Sequence, residues 1–372
     1  MRYSQIKYQP ETTKTYLGSP SILRLPDGVL LATHDYFGRG CPRTHEGEEG
    51  LTSVYRSEDN GASWLNITHI MYAFWGNLFW HQGSVYWLGI SQQYGSVLIR
   101  RSDDGGFTWT HPKDEHSGLL FKGGCYHDAP NYHCAPMPML INNGRLYRAI
   151  EDCDPCDWGK GFKACVISAP VDGNLLEAKT WTMSNKLAFD PSWVPADWGS
   201  LENPGWLEGN VVETPSGELW DILRFNSKPL VDKAAIVEIH DEGKRVSFKD
   251  NGLINFPGGM SKFSIRRDPE THIYLTLTNN NTDPSWTNQR NVLSLYASDD
   301  LLSWRHVKTL LEDESGLSYD DSMRLTGFQY VDWQFDGRDL IYMVRAAYRG
   351  AVRYHDSNRM LYCVLENFGE LL

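Results

Sequence analysis

Three carboxylates in this chain of 372 residues could divide between them the two roles of an acid–base hydrolysis: Asp35, Glu151 and Glu208. That reaction needs one carboxyl group held protonated as general acid and a second, ionised, as nucleophile or base. A different set describes a different reaction. His81, His133 and Tyr348, with Arg148 and Arg224, suit β-elimination beside a carboxylate. There a His or Tyr abstracts the proton beside the carboxylate and an arginine neutralises its charge. Arg345, Lys262, Asn210 and His355 add hydrogen-bonding groups, and Trp80 and Trp206 add apolar faces on which a sugar ring could stack. A third reading uses the same residues without catalysis, as a glycan-binding surface lacking a coupled acid–base pair. Every one of these residues also has a structural reading: a lone His on a strand is usually a satisfied structural group, and "HDSN" at His355–Asn358 makes a capped turn.

Nothing local brings these residues together, so the fold must. Two segments read Ser-x-Asp-x-Gly-x-Ser/Thr-Trp: "SEDNGASW" from Ser57 and "SDDGGFTW" from Ser102. Asp caps backbone N–H groups and Gly accepts positive φ, so each segment is a tight turn. Each follows an alternating strand, "LTSVYRS" or "SVLIRRS", and "VLSLYASDDLLSW" repeats the pattern imperfectly. Between these hairpins recurs a second unit, apolar strand, turn, apolar strand. It begins near Ser19, Gly76, Ala135, Gly209, Ser261 and Gly327, which makes six. Four strands per unit, repeated radially, predict an all-β chain: a six-bladed β-propeller of four-stranded antiparallel blades. One propeller absorbs residues 1–372 as a single domain. The last strand, "RMLYCVLENF", is expected to pair with the N-terminal "YSQIKYQ" and close the ring. Candidate site residues are expected where innermost strands enter the central channel.

The repeated turn resembles the Asp-box of the sialidase superfamily, and the resemblance covers nearly the whole chain. It implies a six-bladed propeller with its active site at the channel mouth and the turns themselves on the outer rim. Sialidases are similar to one another in an Arg-Ile-Pro on the first inner strand, the first of three arginines that clamp the sialic acid carboxylate. Here Gly18 and Ser19 precede Pro20 instead. Those enzymes also pair a nucleophilic Tyr with a Glu, and no such pair is assignable from this sequence. The chain more closely resembles divergent sialidase-like glycoside hydrolases and rhamnose–uronate lyases, which implies a polysaccharide or oligosaccharide substrate containing an acidic sugar.

A net charge of −12 argues against an electrostatic grip on nucleic acid. No apolar stretch is long enough to span a membrane, and no cofactor motif is present. The start, "MRYSQIKYQPETTK", lacks an apolar signal region, so the expected location is the cytoplasm, or the periplasm or exterior after removal of a leader. The seven cysteines include "CDPC" at Cys153–Cys156, which has no second ligand pair; free thiols are expected there and no metal.

Overall fold

The computed structural model describes residues 3–372. Six antiparallel sheets follow one another around an axis, each running from an innermost strand outward. Blade 1 comprises Tyr16–Leu17 and Ser21–Arg24, then Leu30–Phe37, Leu51–Ser57 and Leu65–Met71. Blade 2 comprises Phe74–His81, Ser84–Ile90, Val97–Ser102 and Leu119–Phe121. Blade 3 has a split inner strand, Tyr132–His133 and Leu140–Asn142, beside Arg145–Cys153 and Phe162–Pro170, with short outer pieces. Blade 4 is Gly205–Glu213, Leu219–Asn226, Lys233–His240 and Arg245–Asn255. Blade 5 is Ser264–Arg267, Tyr274–Thr278, Val292–Ser298 and Arg305–Glu312. Blade 6 is Gly327–Asp336, Asp339–Ala347 and Arg359–Leu365, completed by the N-terminal Ser4–Tyr8. Ser4 pairs with Tyr362 and Tyr8 with Arg359, so first and last strands close the ring as expected.

Middle strands are apolar on both faces because each blade is sandwiched between two others. Leu219–Asn226 is buried at all but its first residue, whereas the outer strand Leu65–Met71 is mostly solvated. The core is accordingly divided among the six interfaces. Trp87 packs between blades 1 and 2, Trp206 between blades 3 and 4, and Trp333 between blades 5 and 6, each fully buried. Full burial of one such ring excludes roughly 150–250 Å² from water.

The repeated turns join third and fourth strands, at the rim. In the first, Asp59 Oδ1 accepts from Ser57 Oγ (2.8 Å) and Ser63 N (2.9 Å), and Trp64 Nε1 donates to Gly61 O. Asp104 repeats this with Ser102 and Thr108, and Asp300 with Ser298 and Ser303.

Inner strands of blades 2, 4 and 6 share a departure from regular pairing. Each carries a β-bulge near its N-terminal end, between Phe74 and Asn77, Leu207 and Asn210, and Gln329 and Asp332. Within each bulge one large residue takes a left-handed backbone: Trp75 (φ 49°), Glu208 (φ 57°) and Tyr330 (φ 55°). A non-glycine residue held there costs about 1–3 kcal/mol, and such strain collects at functional sites. The Asn or Asp two positions on fixes each bulge. Asn210 Oδ1 accepts from Ile265 N, Asp332 Oδ2 from Ile22 N (2.9 Å each), and Asn77 Oδ1 from Arg148 Nε (3.1 Å).

Candidate active site

The three bulged residues meet at one end of the channel, in a cavity of about 210 Å³. Antiparallel pairing explains which other residues join them. The start of an inner strand lies beside the end of the second strand, so Asp35, Arg224 and Arg345, all near second-strand C-termini, arrive at the same end. Arg224 pairs in register with Leu207, and Arg345 with Gln329; each arginine therefore stands opposite the residue preceding a bulge.

Tyr330 Oη donates to Glu208 Oε1 at 2.5 Å. Arg224 Nη1 reaches Glu208 Oε2 at 2.8 Å and Tyr330 Oη at 3.2 Å. Burial pushes the Glu208 carboxyl up, but Arg224 and His133 outweigh it and hold the group below the ordinary glutamate value. Burial, with the Glu208 charge beside it, pushes the Tyr330 phenol up to about 12. At neutral pH the pair is thus a phenol bonded to a carboxylate that can accept its proton.

Asp35 faces the same cavity. Its Oδ1 accepts from Ser19 N (2.7 Å) and its Oδ2 from Trp75 N (2.9 Å). Burial pushes its carboxyl up to about 7, against those two N–H bonds and the Arg345 charge. A carboxyl that titrates near neutrality and lines a cavity is a general-acid candidate. Gly18 makes room for it: a Cβ there would fall 1.5 Å from Asp35 Oδ1.

Arg345 is 4 % exposed and lines the cavity, yet its Nε and Nη2 have no protein partner. Its guanidinium lies 4.2 Å from the Tyr330 ring centroid and 5.3 Å from that of Phe37. A buried, unpaired guanidinium is costly, and an anionic group in the cavity would satisfy it. His355 stands nearby against Phe37, its imidazole lowered to about 4 by burial. On the opposite wall His133 Nδ1 meets Glu151 Oε2 at 2.7 Å, leaving Nε2 as its second polar atom. Glu151 Oε1 accepts from Gly209 N, which ties it to the bulge bearing Glu208. Trp75, Phe162 and Tyr94 enclose the His133 ring, with centroids 4.5, 4.8 and 6.1 Å away.

Of the residues expected from sequence, the cavity gathers Asp35, His133, Glu208, Arg345 and His355, with Arg224 and Glu151 one hydrogen bond behind. The others lie elsewhere. His81 ends the inner strand that Phe74 begins, so it sits at the far end of the channel, its Nε2 on Val171 O at 2.7 Å; Trp80 goes with it. Trp206 is fully buried between blades, stacked on Trp193, because it precedes the bulge that turns Glu208 inward. Tyr348 packs on Phe328 in the core. Asn210, Arg148 and Lys262 are buried structural ties: Arg148 bonds Asn77 and the Ala149 and Ala135 carbonyls, and Lys262 Nζ donates to Val331 O. A larger groove of about 420 Å³ opens at the opposite end beside Trp220 and His240, but its charges form loose surface pairs such as Arg145–Glu242 at 3.7 Å. All seven thiols are free, and among the described residues no three His, Cys, Asp or Glu side chains are grouped to hold a metal.

Tyr330 was not among the sequence candidates. The signal was present: "WLEGN", "FQYVD" and "FWGN" align on Asn210, Asp332 and Asn77, and the residue two before each is the one turned into the cavity.

No protein-family model and no curated protein sequence matches the chain. Solved structures do. The chain is similar to an α-L-arabinanase of Penicillium chrysogenum complexed with arabinobiose, with a TM-score of 0.61 and 15 % identity over 100 % of this chain and 99 % of that one. It is similar to an α-L-arabinofuranosidase from Fusarium graminearum (TM-score 0.61, 14 % identity, 100 % of this chain and 99 % of that one). Trypanosoma rangeli sialidase in complex with sialic acid gives a TM-score of 0.56 at 16 % identity, over 96 % of this chain and 55 % of that one. At such identities the likeness establishes the fold, a divergent sialidase-like propeller.

Proposed function

We propose that the protein is a retaining glycoside hydrolase that releases an acidic sugar from the end of a glycan. The observation that carries this reading is the 2.5 Å contact of Tyr330 with Glu208 in a cavity that also holds Asp35. Tyr330 Oη attacks the anomeric carbon while its proton passes to Glu208. Asp35, protonated, gives its proton to the departing glycosidic oxygen. The resulting Tyr330–sugar bond is then broken by water, whose proton goes to the Asp35 carboxylate as Tyr330 recovers its own from Glu208. Each group ends as it began.

Two features favour an acidic sugar. Arg345 is an unpaired cation stacked on the nucleophile's own ring, within reach of a carboxylate near the reacting carbon. A phenol, neutral until it attacks, is also not repelled by that carboxylate as an aspartate or glutamate nucleophile would be. Elimination at a uronate would draw on the same residues, with Tyr330 as base and Arg345 as clamp. A non-catalytic lectin would have no use for a coupled phenol–carboxylate pair.

The test is incubation with glycans and aryl glycosides ending in sialic or uronic acid. Release of a reducing acidic sugar with retained anomeric configuration by proton NMR, without new ultraviolet absorbance, is expected. An absorbance rise from an unsaturated uronide assigns the lyase reaction instead, and binding without any product assigns the lectin.

A further inference from the structure

We infer that the cavity continues into a surface track of aromatic rings that binds neutral sugars on the leaving-group side of an oligosaccharide. This rests on the glycosidase reading above. The track starts at the cavity wall. Trp75 and Tyr94 both line the cavity, with centroids 6.0 Å apart. From Tyr94 the next ring is His127 at 6.3 Å, and its chain neighbour Tyr126 carries the surface outward. His45 lies 6.4 Å from Tyr126 and 6.3 Å from Tyr72. The outer rings face water: Tyr126 is 66 % exposed, and the His45 and His127 side chains 65 % and 51 %.

Backbone conformation singles these rings out. Trp75, Tyr94, Tyr126, His127 and Tyr72 all have left-handed φ, between 49° and 65°. A turn needing that conformation ordinarily uses Gly, Asn or Asp, and an aromatic residue there is strained. Five such residues in one contiguous patch, three of them contributing nothing to a core, are held for the surface they present. The loops bearing them are clasped together: Glu46 Oε2 accepts from Tyr126 N (2.8 Å) and Gln92 Nε2 (2.9 Å), and Glu48 Oε1 meets His127 Nε2 (3.0 Å).

The chemistry fits a sugar chain. Apolar sugar faces stack on rings, and Glu46, Glu48 and the Tyr126 hydroxyl offer partners to sugar hydroxyls. Those two carboxylates disfavour further acidic residues, so the occupant is a run of neutral sugars whose terminal acidic unit fills the cavity.

The test uses a ladder of neutral oligosaccharides, two to five residues long, each capped by one sialic or glucuronic acid, beside the matching methylumbelliferyl glycosides. Both binding, by tryptophan fluorescence, and hydrolysis are measured for the wild type and for H45A/Y126A, which alters exposed side chains only. Affinity is expected to tighten as the ladder lengthens. The variant is expected to raise KM about five- to tenfold for the longest members, with kcat and the methylumbelliferyl reaction unchanged. Hydrolysis that ignores both chain length and the variant overturns the track and leaves the glycosidase reading in place. Length-dependent binding that the variant abolishes, with no probe cleaved, upholds the track as a glycan surface and removes the glycosidase reading. Failure of every ladder member to bind overturns the track.

Discussion

Tyr330 and Glu208 are 122 residues apart in the chain and 2.5 Å apart at the channel mouth. They occupy equivalent positions in blades 6 and 4, each at a β-bulge with left-handed backbone, each fixed by the Asp or Asn two residues on. Pseudo-symmetry of the propeller thus delivers a phenol and a carboxylate to one point from two repeats of the same local device.

If these two groups act as a unit, their losses should not add. Tyr330→Phe and Glu208→Gln are each expected to lower kcat about 10²–10⁴-fold. The double variant should be no slower than the worse single one. Steady-state kinetics on one aryl glycoside, with circular dichroism to verify folding, checks this.

The pH dependence follows from opposite shifts. Asp35 must be protonated, and burial places its titration at about 7, so activity falls as pH rises through that value. Glu208 must be ionised, and Arg224 holds it below the ordinary glutamate value, so activity persists in mild acid and falls only below that range. A bell-shaped kcat/KM profile is expected, with its alkaline limb lost or displaced in Asp35→Ala.

Gly18→Ala should act through Asp35. The added Cβ would sit 1.5 Å from Asp35 Oδ1 and must push the carboxyl out of place. Substrates with poor leaving groups, which need the proton most, should slow far more than activated aryl glycosides. A uniform loss across leaving groups would assign the damage to general misfolding.

The two arginines should separate binding from stability. Arg345 has unpaired atoms, so Arg345→Ala should leave the melting temperature unchanged or higher while raising KM about 10- to 100-fold for acidic substrates. Arg224→Ala strands the Glu208 carboxylate and should destabilise the fold by about 3–5 kcal/mol. Thermal melts beside kinetics read both.

Much of this was legible in the sequence, and for physical reasons. Turn chemistry at Asp59 and Asp104 and six strand–turn–strand units specify the blades, and the closure of Ser4–Tyr8 on Arg359–Leu365 follows from the need to remove sheet edges. The site was half legible. Glu208, Arg224, Arg345, Asp35 and His133 lie near strand ends that the blade pattern locates. His81 was misplaced because the pattern does not say which end of the inner strand is the mouth. Trp206 and Asn210 were misassigned because a bulge adds one residue and reverses the alternation on which facing is judged. Tyr330 was missed for the same reason, since simple alternation hides it between Phe328 and Asp332. His81→Ala, far from the mouth, is accordingly expected to leave kcat/KM unchanged.

The central claim is that Tyr330 is the nucleophile. A 2-deoxy-2-fluoro or equivalent fluorinated acidic glycosyl fluoride slows breakdown of a covalent intermediate more than its formation. After reaction with such a compound, the intact protein should gain the mass of one fluorinated sugar, and peptide mapping should place it on Tyr330, with no adduct in Tyr330→Phe. An adduct on Glu208 or Asp35, or clean turnover of the unfluorinated glycoside with inverted configuration and no adduct, would contradict the account.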